Sequence, residues 1–304
     1  MNKKVLIICL NVLFIFSCKT NNPISYEYDY DLDGILLYEK STNESDLDLY
    51  SFNLSTGEEF QITNNGYSDH YGHWSFDGEK IVFTRYDEPK NSYEIWTVDA
   101  NGSNEKRLTN NLVMDYAISW SPDGSKILFM RSDTSFISDG EIFIMNADGT
   151  NVNQVSNTSF EDIATDWSPD GAKIVFLRKT GVYSDIFIMN TDGSNIVQLT
   201  NRTSTKSYPS FSPDGSKILF QDDYQSEWDP QQDDIFIMDT NGSNTKRITY
   251  IDRAITHSVW SPDGTKILYE TSDGIFVIDL DGTNTVQITD GQIDNWPYIP
   301  DWKF

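Results

Sequence analysis

Two positions of opposite charge recur along this 304-residue chain. Five residues ahead of a repeated aromatic stand Asp69, Asp115, Asp162, Lys206 and Ile255. Seven residues beyond a repeated turn glycine stand Arg85, Arg131, Arg178, Asp222 and Thr271. In a two-stranded hairpin that register sets each member of the first group opposite its counterpart in the second. Three pairs are then Asp with Arg, the fourth is reversed to Lys206 with Asp222, and the fifth is uncharged. Reversal at both positions together argues for contact. The structural reading is a ring of cross-strand ion pairs, each worth roughly 0.2–1 kcal/mol where exposed. The functional reading is a charged collar that takes a ligand or cation.

Other chemistry is sparse. His70 and His73 flank Tyr71-Gly72 just after Asp69, a set that could hold a transition metal. On a regular strand, however, residues three apart point to opposite sides. His257 stands three before Trp260, the place of Tyr71 and Tyr208 in other copies, and is expected to line a channel. Turns such as Asp279-Leu280-Asp281-Gly282 lack the further oxygen ligands and terminal Glu of a calcium loop. Turn stabilisation is their reading, and no metal or cofactor is expected. No Gly-x-Ser-x-Gly elbow exists for a serine hydrolase. A carboxylate pair could serve a glycosidase, but the best-placed carboxylates have basic partners that hold them ionised.

These residues ride on one repeated unit. Trp74-Ser75-Phe76-Asp77-Gly78 returns as Trp120 to Gly124, Trp167 to Gly171, Phe211 to Gly215 and Trp260 to Gly264, with Leu32-Asp33-Gly34 a degenerate first copy. The glycines at 34, 78, 124, 171, 215 and 264 are spaced by 44, 46, 47, 44 and 49 residues. Each unit holds short β-branched and aromatic runs bounded by Asp-Gly or Asn-Gly, so four strands with tight turns are predicted. A four-stranded unit of this length is the size of a propeller blade. A hydroxyl residue closes each unit 11 residues before the next aromatic, as in Thr63 to Trp74 and Thr249 to Trp260. The first copy lacks a clear first strand, so the tail around Tyr298 to Trp302 is expected to supply it. The fold class is therefore all-β, a six-bladed propeller of four-stranded antiparallel blades closed by the C-terminal strand. A five-bladed ring is disfavoured, because Gly34 to Thr63 holds three good strands.

Trp-Ser-Pro-Asp-Gly, Lys-Ile-Leu-Phe, Asp-Ile-Phe-Ile-Met-Asn and Asp-Gly, recurring in register over about residues 33 to 302, resemble the TolB-type, WD-like propeller repeat family. Members with an additional α/β domain ahead of the propeller need more chain than lies between Cys18 and Asp33, so this reads as a propeller-only relative. The resemblance implies an envelope protein whose propeller docks other proteins, without identifying the partner.

The first residues read as an address. Lys3 and Lys4 precede the apolar run Val5 to Phe16, which is too short to span a bilayer and fits an export signal. Ile15-Phe16-Ser17-Cys18 resembles the bacterial lipoprotein signal box, in which Cys18 receives the lipid; the alternative is an ordinary signal peptide with an incidental cysteine. The organisation expected is residues 1–17 as lipoprotein signal, 18–32 as lipidated cysteine and polar tether, and 33–304 as propeller. The location expected is the bacterial envelope, anchored at the outer membrane. With 22 Lys plus Arg against 47 Asp plus Glu, the net charge of −25 argues against nucleic acid.

The two hairpin turns of every unit share one face and are monotonous. The opposite face carries the variable loops, including Tyr86 to Asn91, Ser132 to Gly140 and Asp222 to Asp234. Variation confined to one face suggests recognition; loops under no constraint also vary. Candidate binding residues at the channel mouth are Asp69, His70, Tyr71, Asp115, Asp162, Lys206, Tyr208 and His257. Those on the loop face are Arg85, Arg131, Arg178, Tyr224 and Trp228. The leading function is a lipid-anchored, non-catalytic module docking an envelope protein or small ligand. Competing readings are a hydrolase or lyase at the channel mouth and a purely structural envelope protein.

Overall fold

The structure, a computed structural model, describes residues 34–43, 46–132, 140–201, 204–223, 233–251, 253–288 and 301–303. They form six four-stranded antiparallel sheets, the blades of a β-propeller. Five blades run from inner to outer strand in chain order. Their inner strands are Asp69–Trp74, Met114–Trp120, Glu161–Trp167, Lys206–Phe211 and Ile255–Trp260. Blade 1 consists of Ile35–Asn43, Asp46–Asn53 and Glu59–Gln61, and takes its inner strand from Asp301–Lys303. Leu37 pairs with Asp301 and Ile35 with Lys303. The closing segment is thus the expected one at Trp302, while Tyr298 lies outside the described residues.

The repeated residues have separable jobs. The aromatic at the end of each inner strand fastens its blade to the one before. Trp167, for example, packs with Leu128, Ile142 and Ile144 of blade 3 and with Ile174 and Phe176 of its own blade. In the turn that follows, the Ser75 hydroxyl donates to Asp77 at 2.6 Å and accepts from the Lys80 amide at 2.9 Å, and Gly78 takes φ 68°. That local network explains why Ser, Asp and Gly recur there.

The closing hydroxyl is a latch between strands three and four. Thr109 Oγ1 accepts from the Ile95 amide at 2.9 Å and donates to buried Glu94 at 2.7 Å. Thr249 repeats the arrangement with Ile235 and Asp234, at 2.9 and 2.8 Å. The outer strands are only two residues long in blades 2 to 6, for instance Lys106–Arg107, which leaves little open edge for other strands to join. At the outer turns the chain passes close to the preceding blade. A Cβ on Gly193, whose φ is 83°, would stand 2.3 Å from the Val155 carbonyl oxygen, so only glycine fits.

Candidate functional site

All five charge-register expectations hold as strand pairs: Asp69 with Arg85, Asp115 with Arg131, Asp162 with Arg178, Lys206 with Asp222 and Ile255 with Thr271. Each Arg is bidentate. Its Nε lies 2.6 Å from one carboxylate oxygen, and a terminal nitrogen lies 2.7–2.8 Å from the other. Lys206 Nζ stands 3.2 Å from Asp222. The range given for exposed pairs does not apply to these three, because their carboxylates are buried. The three Asp side chains have 0% exposure, because the guanidinium covers each one and is itself covered by aromatic faces. Arg85 lies 4.5 Å from the Trp96 centroid, and Arg178 lies 5.1 Å from Phe187 and 5.9 Å from Phe160. Asp69 and Arg85 therefore do not sit on two separate surfaces, and the pairs act as clamps inside each blade. Tyr224 and Trp228, like Cys18, lie outside the described residues.

The mouth of the channel has a different character. All five complete inner strands carry an extra residue relative to their partner. In blades 2 and 5 it is absorbed by Tyr71 and Tyr208, at φ 52° and 50°. Such angles are outliers for a bulky residue and need support. For Tyr71 that support is Glu39, which is 3% exposed. One Glu39 oxygen accepts from the Tyr71 amide at 2.8 Å, and the other meets His70 Nδ1 at 3.0 Å. Tyr208 packs against His257 with centroids 4.8 Å apart. Burial pushes the Tyr71 hydroxyl up, reinforced by Glu39, Tyr93 and Tyr208, and burial pushes Tyr116 to about 12. His70 and His73 serve different surroundings: His70 joins Glu39, while His73 lies near His257 in the bore. Among the described residues no three His, Cys, Asp or Glu side chains converge as a metal would require.

Deeper in the bore stand two carboxylates that the sequence reading missed. Asp166 accepts the amides of Trp167 at 2.8 Å and of Phe211, in the next blade, at 2.9 Å. Asp301 does the same for Trp302 at 2.9 Å and Trp74 at 2.8 Å. Each satisfies open inner-edge amides that no fifth strand covers. Both residues directly precede the blade aromatic, the place held elsewhere by His73, Ser119, Ser210 and Val259. A comparison of that one position would have found them. Among the described residues the buried hydroxyls of Ser119 and Ser210 meet no hydrogen-bond partner, which marks the bore as a polar site suited to ordered water.

Burial raises Asp166 to about 7, with the Asp301 charge adding to it and the two amides opposing it. Burial lowers His73 to about 4 and His257 to about 3. For Asp166 the folded chain binds its proton more tightly than the unfolded chain, whose reference is 3.8. Its stabilisation is complete below about pH 4 and is lost as pH rises through about 7. The histidines act oppositely, losing stability as pH falls below 6.5 toward their folded values. Asp166→Asn is expected to remove the first effect alone. The stability gap between wild type and variant, followed by urea denaturation from pH 4 to 8, should shift against the wild type by up to roughly 4 kcal/mol. A pH-independent gap would refute the assignment.

The rim of the same face is apolar. Connections from outer strand to next inner strand carry Tyr67, Leu112, Phe160 and Tyr250, with Leu112 82% and Tyr250 75% exposed. Val182 and Tyr183, between the second and third strands of blade 4, add to it. On the opposite face Phe76 is exposed at a turn position that is proline in the later copies.

Six four-stranded blades closed around a polar bore define a propeller with one monotonous and one variable face. The TolB beta propeller domain family matches residues 90–301, and the chain belongs to that family. The fold is similar to a TolB assigned in Agrobacterium tumefaciens, at 20% identity over 85% of this chain and 88% of that one, TM-score 0.66. It is similar to TolB from Acinetobacter baumannii, at 19% identity over 82% of this chain and 62% of that one, TM-score 0.67. An oligogalacturonate lyase in complex with manganese shares the fold at 14% identity over 86% and 75% of the two chains, TM-score 0.64. No curated protein matches in sequence.

Proposed function

We propose that the chain is a lipid-anchored, non-catalytic propeller of the bacterial cell envelope that docks a protein through its variable-loop face. The observation that carries this reading is the set of exposed apolar side chains on that face, one on each of four successive or near-successive connections: Tyr67, Leu112, Phe160 and Tyr250. Apolar groups so placed around a mouth mark an interaction surface. The family and its TolB relatives support an envelope setting, and Cys18 supports the anchor, with residues 1–17 removed and 18–32 as tether. The hydrolase or lyase reading draws less support, since Asp69, Asp115 and Asp162 are each neutralised and covered by arginine.

The test is capture of envelope proteins on immobilised propeller, with Leu112→Asp/Tyr250→Asp compared against Phe76→Asp on the opposite face. The rim variant is expected to lose a specific partner that the Phe76 variant keeps. Equal capture by both variants overturns the docking face. The anchor is read from the mass of the mature N-terminus: an unmodified Cys18 overturns it without touching the docking result.

A further inference from the structure

Four aromatic side chains at the mouth form a closed circuit. Centroid separations are 5.9 Å from His70 to Tyr71, 6.2 Å from Tyr71 to Tyr116, 5.1 Å from Tyr116 to Tyr93 and 6.2 Å from Tyr93 back to His70. The residues come from the inner strands of blades 2 and 3 and from the third strand of blade 2. A circuit of those sides can enclose a centre roughly 4 Å from each centroid, inside the reach of about 6 Å for a cation over a ring face. The arrangement is held at one corner by a strained backbone: Tyr71 keeps φ 52° under the grip of buried Glu39. The phenols stay neutral at ordinary pH, because burial raises Tyr71, Tyr93 and Tyr116 alike.

Elsewhere the protein fills its aromatic faces with its own cations: Arg85 over Trp96, Arg131 over Phe143, Arg178 over Phe187, Lys40 over Tyr50 and Arg247 over Tyr250. Among the described residues no Lys or Arg lies over Tyr93 or Tyr116. The surrounding charge favours a cation, with Glu39 behind the circuit and a chain net charge of −25.

We propose that the His70–Tyr71–Tyr116–Tyr93 circuit, backed by Glu39, is a binding site for an alkylated ammonium group of the trimethylammonium type. Both Glu39 oxygens are already engaged, so a primary ammonium finds few acceptors to replace its water. An alkylated one brings little hydration to lose and presents methyl groups to the rings. Leu112 and Tyr250 are not among the four rings, so tetramethylammonium binding and loss of docking in the Leu112/Tyr250 variant are read separately.

The probe is tetramethylammonium chloride, titrated into the purified propeller at constant ionic strength and followed by calorimetry and tyrosine NMR signals. Saturable binding is expected, with ammonium chloride at least about tenfold weaker. Tyr116→Leu and Tyr93→Leu should each weaken it about tenfold, while Tyr116→Phe, which keeps the ring, should hold it within about threefold. The phenylalanine variant separates ring chemistry from simple misfolding. Choline and phosphatidylcholine vesicles then separate sources: binding of choline without co-sedimentation assigns a soluble ligand, and co-sedimentation competed by tetramethylammonium assigns a headgroup. No binding of tetramethylammonium, equal binding of ammonium, or indifference to both leucine substitutions overturns the proposal.

Discussion

Asp162→Ala is expected to destabilise the propeller by about 3–5 kcal/mol, the range for removing one partner of a buried ion pair. The carboxylate has no exposure, and its two oxygens hold Arg178 at 2.6 and 2.7 Å. Arg178 lies against Phe176, Phe187 and Phe160, so it has little route to water once its partner is gone. For a chain this size the melting temperature should fall by roughly 5–9 °C. The loss belongs to the stranded charge more than to the pair itself. Asp162→Ala/Arg178→Met, which removes both charges and keeps the apolar stem, is therefore expected to recover most of it. Blade 5 shows the same logic already at work, since Lys206 and Asp222 reverse the polarity without changing the register. Denaturant midpoints of the single and double variants decide the matter. If the double variant is as unstable as the single, the clamp works through shape and not through charge.

The register of these pairs was legible because both positions sit at fixed distances from the same hairpin turn, and hairpin length is constant from blade to blade. Their burial was not legible. It depends on rings such as Trp96, Phe187 and Phe160, which reach the arginines from other strands and loops, at separations that no local pattern encodes. The hydroxyl before each new blade was visible as a recurrence. Its reason emerges only with the fold, where Thr109 bridges Glu94 and the Ile95 amide across a strand pair. Glu39 was invisible for a related cause: it serves Tyr71 and His70 in the neighbouring blade, 31 or 32 residues away in sequence. Asp166 and Asp301 escaped because they break the repeat and do not follow it. Two of six positions before the aromatic are acidic, and they sit on blades 4 and 1, which face each other across the ring. The same opposition relates Tyr208 and Tyr71 on blades 5 and 2. The bore thus has an approximate two-fold character laid over six-fold blades, and the exceptions to the repeat, rather than the repeat, shape its interior.

Removal of residues 301–304 is expected to have the larger effect on the folded ring as a whole. Asp301–Lys303 is the inner strand of blade 1, so without it Leu36 and Leu37, now at 1% and 0% exposure, become the open edge of a three-stranded sheet. Trp302 is 7% exposed, and losing its side chain alone costs about 3–5 kcal/mol. Asp301 adds a second link, because its carboxylate accepts the Trp74 amide of blade 2 at 2.8 Å. One short strand, reached from blade 6, therefore completes blade 1 and also holds the inner strand of blade 2, so blade 2 loses part of its support along with blade 1. The truncated chain should lose more than about 5 kcal/mol and expose an unpaired apolar edge prone to association. Hydrogen exchange gives the sharpest reading, with protection lost first at Ile35, Leu37 and Trp74 while blades 3 to 5 hold theirs. Trp302→Ala should reproduce the blade 1 loss at Ile35 and Leu37, and Asp301→Ala the loss at Trp74 together with its other amide donor, Trp302. Unchanged protection at Trp74 after Asp301→Ala would mean that the ring is closed by apolar packing and that the carboxylate link contributes nothing to it.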